Sequence, residues 1–76
     1  MATNTQKQIK QIIEQISEGV EMDRILMSCF KLMGIDQGEN ENYETGIKVR
    51  DIVVRWKVPQ HNLVDEGAVN ELQALL

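Results

Sequence analysis

The sequence predicts an all-α fold, a small bundle of four short helices built as an αα-hairpin over residues 5–34, an acidic loop, and a second helical pair over residues 46–76. Three observations lead there. Apolar residues recur at i, i+3, i+4 and i+7 along most of the chain outside one polar stretch. Two of these stretches end in a glycine followed by an aliphatic residue, the pattern of a left-handed helix stop with its hydrophobic contact. The one segment that also fits a strand, around Ile52 to Val58, has no second strand to pair with elsewhere in the chain.

The first helix is predicted over residues 5–18. Thr5 followed by Gln8 has the spacing of a capping box. Ile9, Ile12, Ile13 and Ile16 form one face, and Lys7, Lys10, Gln11, Glu14 and Gln15 form the other. Gly19 stands at the stop, and Val20 folds back on the last turn. The second helix is predicted between Glu21 and Met33, with an apolar stripe of Met22, Ile25, Leu26, Cys29, Phe30 and Met33. Gly34 and Ile35 repeat the glycine stop, and the short connection makes the two helices antiparallel neighbours. Met22 and Met33 fill the core, whereas Met27 lies off the stripe and marks an exposed patch.

Residues 36–45 are polar and acidic and predict a solvated, mobile surface loop. A calcium loop is excluded by spacing. In a twelve-residue frame opening at Asp36, the glycine does not fall at the sixth position and no glutamate closes the frame. The third element, Gly46 to Val58, fits a helix through Val49, Ile52, Val53 and Trp56, and a strand through Ile52, Val54, Trp56 and Val58. Helix is preferred because a strand would lack a partner. Pro59 suits the first turn of a fourth helix with the stripe Leu63, Val64, Ala68, Val69, Leu72 and Leu75 or Leu76. Gly67 inside it delays or bends the helix. The apolar end, Ala74-Leu75-Leu76, predicts a docked C-terminus.

Composition bounds function. A chain of 76 residues is one domain at most, read here as a single helical domain 1–76. So small a core makes a homodimer one route to further burial. The net charge of −4 disfavours indiscriminate binding to nucleic acid or membranes. No run reaches the roughly 18 apolar residues that span a bilayer, and the polar start has no signal-peptide core, so the cytoplasm is the expected compartment. Cys29, the single cysteine, permits no internal disulfide and sits on an apolar stripe as a structural thiol. His61 is the one histidine, Ser17 and Ser28 lack a nucleophile-elbow pattern, and the five glycines are dispersed rather than gathered into a phosphate cradle. No catalytic residue, metal ligand or cofactor is predicted, and the protein is not expected to be an enzyme.

Residues 49–66 carry the sharpest local pattern. Ile52, Val53 and Trp56 precede Val58-Pro59-Gln60, and Leu63 follows at a packing distance. The segment resembles the helix-turn-helix of bacterial and phage repressors. That resemblance implies a recognition helix opening with Gln60, His61 and Asn62, whose side chains would read base edges. Around it stand four cations, Lys48, Arg50, Arg55 and Lys57, against one nearby carboxylate, Asp51. The stretch departs from that pattern where Lys57 replaces the turn glycine, where Val53 replaces a small residue, and where Asp65 and Glu66 would meet phosphates. The leading expectation is therefore a small helical adaptor or regulator, of the size of bacterial or phage accessory factors, that binds an unidentified protein partner through the basic edge Lys48, Arg50, Arg55 and Lys57, joined by Gln60, His61 and Asn62. A DNA-binding regulator using residues 49–66 is the alternative.

Overall fold

The computed structural model describes residues 4–33 and 43–76. Four helices, α1 (Asn4–Ser17), α2 (Met22–Met33), α3 (Tyr43–Arg55) and α4 (Gly67–Gln73), surround one core, and a two-stranded hairpin, β1 (Lys57–Val58) and β2 (Leu63–Val64), separates the last two. The predominantly helical class and the number of helices are those expected from the sequence. No helix among the described residues is long and apolar enough to cross a membrane.

The α1 stop forms as its residues dictate. Gly19 takes φ 77°, the Val20 amide donates to the Gln15 carbonyl at 3.0 Å, and the Gly19 amide donates to Ile16 at 3.2 Å. These two bonds are the Schellman pair, and a Cβ at residue 19 would be strained there. The predicted stop at Gly34 with Ile35, and residues 36–42 of the predicted acidic loop, lie outside the described residues.

Three boundaries differ from expectation. First, α3 begins at Tyr43, so Tyr43, Glu44 and Thr45 are helical rather than loop. Glu44 places a carboxylate in the first turn, where the helix dipole favours it. Gly46 also lets α3 approach α2 closely: a Cβ built there would stand 3.0 Å from both the Cα and the N of Met33. Second, α3 ends at Arg55, and Lys57–Val58 form a strand whose partner is Leu63–Val64. The pairing is antiparallel, Lys57 with Val64 and Val58 with Leu63, so the segment is helix and then strand. Third, Pro59 does not open a helix. It follows Val58 in a turn closed by the His61 amide donating to the Val58 carbonyl at 3.2 Å, the position where proline's fixed φ serves a β-turn. Asn62 completes the reversal at φ 51°, a conformation asparagine tolerates.

The hairpin is fastened to the first half of the chain. The Met22 amide, one of the donors that the first turn of α2 leaves without a helical acceptor, donates to the Asn62 carbonyl at 2.7 Å. The Asn62 side chain reaches Asp23 Oδ2 at 3.4 Å. α4 then starts at Gly67, whose amide donates to Asp65 Oδ1 at 2.8 Å.

Each helix gives one face to the core: Ile9, Ile12 and Ile16 from α1; Ile25, Cys29 and Leu32 from α2; Val49, Ile52 and Val53 from α3; Ala68 and Leu72 from α4; with Val64 from β2. α2 packs between α1 and α3, and α4 closes the ring against α1 and α3. Met33 is buried and Met22 half-buried, while Met27 is exposed, as the spacing predicts. The C-terminus docks through the Leu76 carbonyl, which accepts from Gln6 Nε2 at 3.2 Å.

Candidate functional site

The four cations of the predicted basic edge do not share a face. On α3, Lys48 and Arg55 are seven residues apart and therefore nearly in line, whereas Arg50 stands about 200° around the helix from Lys48. Lys48 and Arg55 border a groove of about 340 Å³ between α3 and α4, whose other walls are Asp51, Ile52, Glu71, Ala74 and Leu75. Arg50 lies on the α2 side, near enough to Cys29 for its charge to act on the thiol. Lys57 stands exposed on β1.

Two of these cations are already neutralised. Arg55 Nη1 meets Glu71 Oε1 at 2.6 Å, and Arg50 Nη2 meets Asp51 Oδ1 at 3.2 Å. Glu71 also accepts the indole N–H of Trp56. That hydrogen bond first, and Arg55 after it, hold the Glu71 carboxyl below its ordinary range. The Trp56 ring packs against the start of α4, where a Cβ at Gly67 would stand 2.7–2.8 Å from two ring carbons. Arg55, Trp56 and Glu71 thus clasp the end of α3 to α4.

Gln60, His61 and Asn62 occupy the hairpin turn and not the first turn of a helix, which corrects the recognition-helix expectation. Four residues, Pro59 to Asn62, join the strands Lys57–Val58 and Leu63–Val64; proline at the second position of the Val58–His61 turn and asparagine just after it favour reversal over helix initiation. Gln60 and His61 are exposed, and Asn62 is committed to Met22 and Asp23. The helix that follows, α4, offers Gly67, Ala68 and Val69 in its first turn.

Cys29 is fully buried, and desolvation pushes its thiol up to about 12, with Arg50 opposing only in part. It is protonated at neutral pH and has the character of a small apolar side chain.

The surface feature that stands out is apolar. Among the described residues the large exposed hydrophobics are Met27 (57%), Phe30 (38%), Tyr43 (44%), Val54 (42%) and Leu76 (42%). All but Leu76 border one seam. α2 and α3 run antiparallel, with Met33 opposite Gly46 and Cys29 near Arg50. Phe30 lies on the edge of α2 that turns toward α3, and Met27 lies beside it on the solvent side. Tyr43, Ile47 and Val54 follow one another at spacings of four and seven on α3, on the same side as Arg50. The two lines flank the α2–α3 seam from outside. Sequence reasoning marked Met27 but assigned Phe30 to the buried stripe and missed Tyr43 and Val54. The available signal was the width of the α2 stripe, which spans more of the helix than one core contact covers.

Comparison of the chain with known protein families, with curated proteins and with solved structures finds no match.

Proposed function

We propose that this protein is a small, non-catalytic helical adaptor or regulator that binds another protein through the outer face of the α2–α3 pair. The observation that carries this reading is the clustering of Met27, Phe30, Tyr43 and Val54 beside one seam. Apolar side chains scattered singly over a surface need no explanation, but a contiguous group of them marks an interaction site. The division of Lys48, Arg50, Arg55 and Lys57 among separate surfaces, with Arg50 and Arg55 already paired, moves the proposed contact from the basic edge to this face. The helix-turn-helix alternative loses its support, because Gln60, His61 and Asn62 form a turn.

The test is capture from a nuclease-treated lysate of the source cells, with tagged wild-type protein beside a Met27→Glu/Phe30→Glu variant. Both positions are exposed, so the variant keeps its core. A protein retained by the wild type and lost by the variant supports the reading. Capture that disappears with nuclease in the wild type, or persists unchanged in the variant, overturns it.

A further inference from the structure

We draw no further inference here: the strongest candidate, the apolar strip of Met27, Phe30, Tyr43 and Val54 flanking the α2–α3 seam, has balanced charges beside it, Arg24, Lys31 and Arg50 against Asp23, Glu44 and Asp51, and nothing in the structure shows what covers it.

Discussion

Gly46→Ala is a substitution whose sign separates two effects. In an open helix position alanine is favoured over glycine by about 0.8–1 kcal/mol, partly because it restricts the unfolded chain. Gly46 lies within α3, with no positive φ to excuse a glycine, so on propensity alone the change stabilises. The structure sets a larger effect against it. The new methyl would overlap the Met33 side chain and stand 3.0 Å from both Met33 Cα and Met33 N. The Met33 side chain can rotate away, but the backbone cannot yield without α2 and α3 moving apart. Forcing extra volume into a packed contact costs about 1–3 kcal/mol, and separating two helices whose cores interlock through Cys29, Val49 and Val53 places this case at the upper end.

The net expectation is a loss of about 2 kcal/mol, which for a domain of this size lowers the melting temperature by roughly 8–16 °C. Urea titration followed by Trp56 fluorescence measures it directly. The midpoint should fall while the m-value holds, because the surface exposed on unfolding is unchanged. A midpoint equal to or above that of the wild type would refute the close α2–α3 contact, and with it the seam on which the apolar strip is placed.

Further expectations follow from other parts of the fold. Leu72→Ala should cost about 2–5 kcal/mol in a denaturant titration, since Leu72 is fully buried where α4 meets the core. Alkali should act through Cys29: its thiol ionises near 9 when exposed and about 12 when buried, so it leaves stability unchanged below pH 9. Between pH 9 and 12 the unfolded chain binds fewer protons there and stability falls with pH, by about 2 kcal/mol at pH 10.5; a Cys29→Val variant should show a shallower decline over that range. Glu71 has the opposite dependence. Its folded carboxyl is held low by Trp56 and Arg55, so its contribution is present above the ordinary carboxylate range and is lost as pH falls through the folded value, and Trp56→Phe should move the Glu71 NMR titration upward. Gly19→Ala, with open space around the new methyl but φ 77°, should cost about 1 kcal/mol from backbone strain alone, read as a lower urea midpoint.

The helices were legible wherever one residue type settled the local geometry. α1 falls within a residue of its predicted bounds because four isoleucines define its face and Gly19 its stop. α2 matches too, because Ile25, Cys29 and Met33 define its buried face. The pairing after Arg55 was illegible to helical periodicity because Val58, Leu63 and Val64 suit either structure, and the deciding contacts are non-local. Asn62 bonds to residues of α2, and Glu71 receives both Arg55 and Trp56. A turn reading of Val58 to Asn62 was available in the residues themselves, with proline second and asparagine in the left-handed position. Of the candidate site, Met27 was visible as a residue off its stripe. Phe30 was not, because its exposure depends on how far around α2 the neighbouring helix reaches. The basic edge failed for a simpler reason: closeness in sequence places Lys48 and Arg50 on opposite sides of α3.

The bond from the Met22 amide to the Asn62 carbonyl has a kinetic corollary. The start of α2 is closed by a hairpin far along the chain, its companion contact joining Asp23 and Asn62 across 39 residues. The helical hairpin formed by α1 and α2 therefore reaches its final state only after the second half of the chain has folded, and a nascent chain ending before residue 57 would leave that amide to water. Met22 is thus a natural clock: the exchange of its amide proton for deuterium times the release of the hairpin. It should become slow only when β1 and β2 have paired.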